Sequence, residues 1–194
     1  LTLVSIISAR CLEPVCIMLT HAHFDHIYGM SALAKEYEIP VYAHLGEMFT
    51  LETTNPDVCR AYGLPLPETF PMIKSISEAS FNSRFYPVTG ADTIEVGDLR
   101  FEVIETPGHS RGGLCFFERT ERILFSGDSL FAGAIGRSDH PGGDYEMLMK
   151  SILGKLVTLE GSVTVFPGHG PCTDIAREGM TNPFLLPFNE PYED

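Results

Sequence analysis

The amino-acid sequence predicts a mixed fold of strands and helices, in the α/β class with α+β character. A continuous apolar run at residues 15–19 precedes an amphipathic pattern at 27–38 and a short strand pattern at 41–43. This order is typical of two parallel strands joined by a helix. Alternating apolar residues at 92–96 and 99–105 flank a Gly-Asp pair, which predicts an antiparallel hairpin. The chain is therefore expected to contain both parallel and antiparallel strand pairs.

Length and composition predict one compact domain that covers residues 1–194. The chain has 194 residues, of which 44% are hydrophobic and 20% are charged, and these values are ordinary for a globular protein. Its 13 basic residues against 26 acidic ones give a formal net charge of −13. Nucleic-acid and anionic-membrane surfaces both need basic patches, so neither partner is expected.

The five cysteines predict no disulfide framework, because their number is odd and no two of them form a C-x-x-C pair. This usage fits a reducing compartment, and we expect the protein to be cytoplasmic. The apolar opening at residues 1–8 is too short to span a bilayer and follows no basic residue. The chain begins at Leu1 without an initiator Met, which leaves open that an N-terminal segment precedes it.

In the N-terminal half, residues 1–10 have mixed helix and strand propensity, and we expect them to cover the strand at 15–19. That strand reads as buried on both faces. A short helix is predicted at 45–51. Between residues 53 and 87 several prolines interrupt any period, which predicts a long loop that helps to shape a pocket, with one short helix near 73–79.

In the C-terminal half, strands are predicted at 114–118 and 123–125, and an irregular glycine-rich stretch follows at 133–143. Asp144 is a typical N-cap for a helix that runs to about Leu159. The remaining elements are a last strand at 163–166, a helix capped by Thr173 or Asp174 that ends before Asn182, and a loosely ordered tail at 184–194.

Ligand-type side chains directly follow the first predicted strand, at His21, His23, Asp25 and His26. Imidazole and carboxylate bind cations such as Zn²⁺ or Fe²⁺, and burying such a dense cluster without a cation would be costly. On an extended chain His21, His23 and Asp25 project to one side. The helical period that begins at Ile27 turns His26 toward a second position. The segment predicts half of a metal site with room for two ions, in preference to a polar turn with solvated histidines.

Three later loops repeat one arrangement, in which a strand ends in a glycine-containing loop that carries a ligand-type side chain. These side chains are His109, Asp128 and His169. Glycine permits the backbone conformations that such loops need. Each loop alone is weak evidence for a metal ligand, since strand-end histidines and Gly-Asp turns are common. Together with the first cluster they predict a single functional site.

These residues, in this order, resemble the ligand series of the metallo-β-lactamase superfamily, in its glyoxalase II-like branch. The resemblance runs from about Val15 to Asn182. It implies a four-layer αββα sandwich, with two mixed β-sheets face to face, helices outside and metals at one sheet edge. It also implies the site residues, namely a first metal on His21, His23 and His109, a second metal on Asp25, His26 and His169, a bridging Asp128, and Asp25 and Asp128 as catalytic carboxylates.

The resemblance implies a binuclear metal hydrolase of thioesters, in which a hydroxide shared by two divalent metal ions attacks the acyl carbon of a small-molecule thioester or ester. Zinc is the first expectation, with iron or manganese as alternatives. β-Lactamases of one subclass carry Cys where this chain has Asp128, which disfavours antibiotic hydrolysis. Flavodiiron proteins usually carry Glu in place of His23, which disfavours oxygen reduction. Compared with glyoxalase II, we expect this sequence to lack the C-terminal helical domain that binds glutathione and the strands that usually precede the first helix.

Two other functions stay open at this point. One is a mononuclear iron dioxygenase of persulfides that uses only His21, His109 and Asp128; Gly113, where that branch often carries Cys, favours hydrolysis. The other is a metal-binding protein without turnover.

Four further side chains lie outside the ligand series. Arg137 is a candidate to bind a substrate carboxylate, against the alternative of a plain surface arginine. Arg111 is a weaker case of the same kind. For His44 and His140 the sequence favours ordinary surface or packing roles.

Overall fold

The computed structural model describes residues 3–27, 29–47 and 85–186, and it contains two principal β-sheets. The first sheet has three parallel strands in the order β1-β2-β3. Their bounds are Ile17–Met18 for β1, Val41–Ala43 for β2 and Phe85–Pro87 for β3. The predicted parallel connection between the first two strands is confirmed by the pairing of Ile17 with Val41.

The second sheet has six strands in the order β11-β10-β7-β6-β5-β4. The pair β7–β10 is parallel, and the other pairs are antiparallel. The strands are β4 Thr93–Val96, β5 Leu99–Glu105, β6 Leu114–Glu118, β7 Ile123–Gly127, β10 Thr164–Pro167 and β11 Thr173–Asp174. A separate two-stranded ribbon joins β8 (Leu130–Phe131) to β9 (Ala134–Ile135).

The described helices are short, and two of them begin at aspartate caps. They are α1 Leu3–Ala9, α2 Phe24–Ile27, α3 Met30–Glu36, α4 Tyr145–Ser151, which continues as a π-helical segment Ile152–Leu156, and α5 Ile175–Thr181. The carboxylate of Asp144 accepts a hydrogen bond from Met147 N, and that of Asp174 accepts one from Arg177 N. Both bonds satisfy free N–H groups of a first helical turn, as predicted from the sequence. Across the part of the chain that the structure describes, no helix is long and apolar enough to cross a membrane.

Three buried apolar clusters arrange these elements in four layers. The first cluster includes Ile27, Met30 and Val41, and packs α2 and α3 on the outer face of the first sheet. The second joins the two sheets, since Met18 and Tyr42 pack against a core that contains Phe101 and Phe116. The third packs the outer face of the second sheet against α4, its π-helical extension and α5. The layers are therefore helix, sheet, sheet and helix, which confirms the predicted αββα sandwich.

Several boundaries differ from the predictions. The strand at 15–19 is not buried on both faces, because Val15 is exposed and β1 pairs only with β2 among the described residues. The helix predicted at 27–38 is divided into α2 and α3. The apolar periodicity predicted the buried residues correctly, since Ile27, Met30 and Ala34 share one cluster. The same residues can be buried by two short helices, so the periodicity did not show where the helix is interrupted.

Four short strands were also missed. The strand β3 lies in the stretch predicted as loop, β8 lies between the strand predicted at 123–125 and the glycine-rich stretch, β9 lies in that stretch, and β11 follows the strand predicted to be last. Two or three residues carry too little periodicity to be recognised, and pairing with a neighbouring strand decides their conformation. In the predicted tail, Leu185 is fully buried in the core. The predicted helix at 73–79 and most of that at 45–51 lie outside the described residues.

Strand direction collects the candidate ligands at one edge. Since β5 and β7 both run antiparallel to β6, and β10 runs parallel to β7, the strands β5, β7 and β10 share one direction. Their carboxyl ends meet at the same edge, where ligand sites in such sheets commonly lie. The first sheet joins this edge at Thr20, whose carbonyl accepts a hydrogen bond from Leu114 N at 2.8 Å. This edge is the location of the predicted site.

Candidate metal centre

The seven predicted ligand residues come together at this edge, from segments as far apart in sequence as residues 21 and 169. Their ligand atoms form overlapping groups in which all atoms lie within 4.8 Å of one another. The groups are His21, His23 and His109; His21, His26 and Asp128; and Asp25, His26 and His169.

The first group consists of three imidazoles. His21 and His109 are buried, and His23 is half-buried. His23 Nδ1 lies 2.8 Å from His109 Nε2, and the ring of His21 packs edge-on against both neighbours, with centroid distances of 4.7 and 4.8 Å. Three ring nitrogens at such distances could bind one cation from three sides.

The group of Asp25, His26 and His169, called the second group from here on, lies toward solvent. His169 Nε2 is 3.0 Å from Asp25 Oδ2 and 3.2 Å from His26 Nε2. The side chains of His169 and Asp25 are 56% and 45% exposed, so this end of the centre is open. Asp25 lies in the first turn of α2, and for that reason it groups with His26 and His169. The expectation from extended-chain geometry that it would converge with His21 and His23 is not met.

Asp128 lies between the two groups. Its Oδ1 is 3.3 Å from His26 Nε2, while its Oδ2 is 3.5 Å from His109 Nε2 and 3.6 Å from His169 Nε2. One carboxylate therefore faces imidazoles of both groups, as a ligand shared by two cations would.

Hydrogen bonds to the far ring nitrogens orient two of the imidazoles. His21 Nδ1 is 3.2 Å from Thr20 Oγ1, and His109 Nδ1 is 2.6 Å from the carbonyl oxygen of Arg137, to which it can donate. With Nδ1 engaged, Nε2 of each ring is directed into the cluster. Such outer hydrogen bonds are usual around metal-binding histidines, because they fix the tautomer and the ring orientation.

The environment keeps the first three imidazoles neutral. Burial, together with the neighbouring imidazoles His26, His23 and His109, lowers the pKa of His21 well below its usual value. Burial, His109 and His140 lower the pKa of His23 to about 3. Burial also lowers the pKa of His109, although the charge of Asp128 opposes it. Neutral imidazole is the form that binds a metal.

His26 and Asp128 behave as a pair. Burial by itself would lower the pKa of His26, but its hydrogen bond to Asp128 and the charge of that carboxylate outweigh burial and raise it. Conversely, burial would raise the pKa of Asp128, and the hydrogen bond to His26 with the surrounding imidazoles lowers it. Asp128 is thus anionic at neutral pH.

Two buried atoms of the cluster indicate that it suits a cation. Both atoms are inaccessible to solvent. His21 Nε2 makes no hydrogen bond, and Asp128 Oδ1 makes no well-aligned one, although His26 Nε2 lies 3.3 Å from it. Buried polar atoms without a partner cost free energy, and a divalent cation would satisfy a neutral ring nitrogen and a carboxylate oxygen together. The donor set of imidazole nitrogen and carboxylate oxygen fits zinc, iron or manganese.

The depressed histidine pKa values predict that acid destabilises the metal-free protein. A histidine with a native pKa below 6.5 binds more protons when unfolded, so its contribution is complete above pH 6.5 and decreases as the pH falls toward its native pKa. For His23 alone, whose native pKa is about 3, the loss between pH 7.5 and 5.5 is about 1 kcal/mol. The raised pKa of His26 acts in the opposite direction. Denaturant unfolding in the presence of chelator measures the sum.

His23→Gln provides the control for this prediction, because it removes one of the depressed groups. The pH dependence should become shallower by about the 1 kcal/mol estimated for His23. A free energy of unfolding that does not change between these two pH values in the unmutated chain would contradict the prediction.

Of the other residues singled out in the sequence, Arg137 and His44 have local partners. The guanidinium of Arg137 forms two hydrogen bonds with Asp139, at 2.9 and 3.1 Å. His44 Nδ1 accepts a hydrogen bond from Gly46 N, and its Nε2 is 3.5 Å from Glu105 Oε1. Neither belongs to a ligand group among the described residues, and His44 has the packing role that the sequence favoured.

Two residues lie beside the centre without having been predicted there, namely His140, for which the sequence favoured a surface or packing role, and Glu47, for which no role was predicted. The ring of His140 packs against His23 and His109, with centroid distances of 4.7 and 5.0 Å, and its Nε2 is buried without a hydrogen-bond partner. Glu47 is a buried carboxylate behind the first group. Its position just after β2 was the available signal, because β2 lies parallel to β1 and their carboxyl ends share an edge.

Comparison with known proteins gives the same family as the ligand series. The sequence profile described as "Metallo-beta-lactamase superfamily" matches residues 12–169. Hydroxyacylglutathione hydrolase GloC of Haemophilus influenzae is 32% identical over 169 residues, which are 87% of this chain and 74% of GloC.

Two solved structures are similar in both fold and sequence. The structure described as TTHA1623 in a di-iron-bound form has a TM-score of 0.77 and 35% identity, over 94% of this chain and 83% of that one. The structure described as BLEG-1 B3 metallo-beta-lactamase has a TM-score of 0.75 and 34% identity, over 94% and 82% of the two chains.

Proposed function

Since the chain belongs to the metallo-β-lactamase superfamily, we propose that it is a binuclear metal hydrolase that acts on thioesters. A metal-dependent hydrolase is the activity that the superfamily and GloC support in common. The single observation that carries the binuclear proposal is the position of Asp128 between two groups of ligand-type side chains. Similarity to TTHA1623, a protein of known di-iron form, agrees with it.

In this proposal the two groups divide the metal ions between them. His21, His23 and His109 would hold the first ion, Asp25, His26 and His169 would hold the second, and Asp128 would be shared. When bound, the two cations supply a water whose pKa is lowered to near 7 and a Lewis acid for the substrate carbonyl. Zinc is the first expectation and iron the second, since imidazole and carboxylate suit both.

The side chains determine where the substrate meets this centre. The first group is buried, whereas Asp25 and His169 face solvent, so the substrate approaches from the second group. Asp25 and Asp128 are the catalytic carboxylates of the proposal. Anionic Asp128 can orient the attacking water by accepting its hydrogen bond, and Asp25 is the exposed carboxylate placed to receive a proton. To bind a substrate carboxylate, Arg137 would have to break its hydrogen bonds to Asp139 and form new ones to the substrate.

The substrate class rests on similarity to GloC, whose name describes hydrolysis of a glutathione thioester. Similarity to BLEG-1 makes β-lactam hydrolysis the second candidate. Both reactions attack an acyl carbon, so the same centre suits either. A direct comparison of the two substrates is therefore needed.

Metal counting and a substrate comparison test the proposal together. The protein is produced in medium that contains both zinc and iron, the metal per chain is counted, and a hydroxyacyl-glutathione thioester is compared with a chromogenic cephalosporin. We expect about two metal ions per chain and faster hydrolysis of the thioester. One iron per chain with oxygen consumption on a persulfide would replace the proposal with the dioxygenase. Metal uptake without turnover of either substrate would favour the remaining alternative, a metal-binding protein that is not an enzyme.

A further inference from the structure

Glu47 is a buried carboxylate that connects two of the ligand loops. It is 1% exposed. Its Oε2 accepts a hydrogen bond from Ala22 N at 2.6 Å, and its Oε1 accepts bonds from Ser110 Oγ at 2.6 Å and Gly112 N at 2.8 Å. Charge-assisted hydrogen bonds of this length are strong, and together they satisfy the carboxylate in a place where an unsatisfied charge would be costly.

The donors are the immediate neighbours of the first ligand group. Ala22 stands between His21 and His23, and Ser110 directly follows His109. One side chain therefore fixes the backbone of the His21–His23 segment relative to the His109 loop. The distance between these segments decides whether His23 Nδ1 and His109 Nε2, now 2.8 Å apart, can bind the same ion.

Small residues around Glu47 allow this close approach. A Cβ atom on Gly112 would lie 2.8 Å from Glu47 N and 2.7 Å from His44 Nδ1, and one on Gly46 would lie 3.0 Å from Gly112 Cα. Real Cβ atoms essentially never lie closer than 3.0 Å to such atoms, so a side chain larger than hydrogen at Gly112 would force a movement. The hydrogen bond from Gly46 N to His44 Nδ1 further holds the turn that presents Glu47.

We propose that Glu47 is a positioning residue for the first metal group, which sets its affinity by holding the His21–His23 segment and the His109 loop at one separation. The inference rests on the metal-binding part of the proposed function and is independent of the substrate. Partners of metal ligands of this kind typically change metal affinity about 10- to 100-fold when they are replaced.

The variant Glu47→Gln is suited to test the connection because it keeps the size of the side chain. A glutamine amide has one oxygen and one nitrogen, so in either orientation its nitrogen faces Ala22 N or Gly112 N, and two donors oppose each other. The connection is therefore broken either at the His21–His23 segment or at the His109 loop.

Glu178→Gln is the matched control. Glu178 is fully buried and also accepts three hydrogen bonds, from Thr173 Oγ1 at 2.5 Å, Gly133 N at 2.8 Å and Asn182 Nδ2 at 2.8 Å. None of these donors is adjacent in sequence to a predicted ligand. The control therefore reproduces the general damage of replacing a buried carboxylate without touching the ligand loops.

Zinc titration of the metal-free protein against a competing chelator is the first measurement, with the full chain carrying His169→Ala so that mainly the first group binds. In this background Glu47→Gln should weaken zinc binding about 10- to 100-fold, while Glu178→Gln should change it by less than about threefold. Equal zinc affinity with and without Glu47→Gln, or an equal loss in the control, would overturn the inference.

Hydrogen exchange of the Ala22 and Gly112 amides gives a second measurement that needs no metal. In the metal-free protein one of these two amides should exchange at least about tenfold faster in Glu47→Gln than in the unmutated chain, because its acceptor is lost. In Glu178→Gln both rates should be unchanged. Ala22 and Gly112 amides that both exchange equally in all three proteins would refute the connection, whereas zinc uptake without thioester turnover would count against the proposed function alone.

Discussion

Asp128→Ala is expected to remove both metal ions and to lower hydrolysis by about a thousandfold or more. Among the described residues, Asp128 is the carboxylate that faces imidazoles of both groups, at 3.3 to 3.6 Å. In the proposed centre, its replacement would remove a shared ligand and the negative charge that balances two cations. A metal centre contributes several kcal/mol of transition-state stabilisation, and 1.4 kcal/mol corresponds to a tenfold change in rate. Elemental analysis after dialysis, followed by the thioester assay, measures both effects.

His169→Ala separates the two groups and sharpens this prediction. His169 belongs to the exposed group with Asp25 and His26, so about one ion should remain, held by the buried imidazoles. Asp139→Ala is the control for metal content, because Asp139 lies in a neighbouring loop and pairs with Arg137 outside the ligand groups. It should retain both ions. Equal metal loss in Asp128→Ala and His169→Ala would contradict the assignment of Asp128 as the shared ligand.

Gly168→Ala is expected to have the second-largest effect, although it changes no ligand. A Cβ atom at this position would lie 2.2 Å from Asp128 Oδ1 and 2.7 Å from His26 Cε1. Both distances are too short, so the carboxylate, the imidazole or the loop must move. A displacement of about 1 Å in a catalytic centre can lower the rate about a hundredfold. We expect weaker binding of the second metal ion and a comparable loss of activity.

Gly154→Ala serves as the control for that substitution. Gly154 is exposed in the π-helical segment, and no atom lies within 4 Å of a Cβ placed there. This change should leave metal content and activity unchanged and should raise the free energy of unfolding by no more than about 1 kcal/mol. A Gly168→Ala protein with normal metal content and activity would show that the loop can accommodate the extra atom.

The sequence by itself determined the candidate ligands and most of the framework around them. Residues His21, His23, His109 and Asp128 were predicted as ligands because several such side chains follow strand ends together, in the order of the family's ligand series, and the structure brings them together. The hairpin of β4 and β5 was also predicted correctly, as was the helix cap at Asp144. These features depend on the alternation of apolar residues, on helix capping and on residue type, and all three are determined by residues that are close together in the sequence.

Only the tertiary structure decided what supports the ligand groups. The family resemblance already implied that Asp25 belongs with His26 and His169, and the start of α2 gives the physical reason. The packing of His140 against His23 and His109 follows from a loop whose path no local pattern specifies. The role of Glu47 depends on donors 25 and 63 residues away. Contacts between distant segments are created when the two sheets close on each other, so their geometry cannot be read from residues that are adjacent only in the chain.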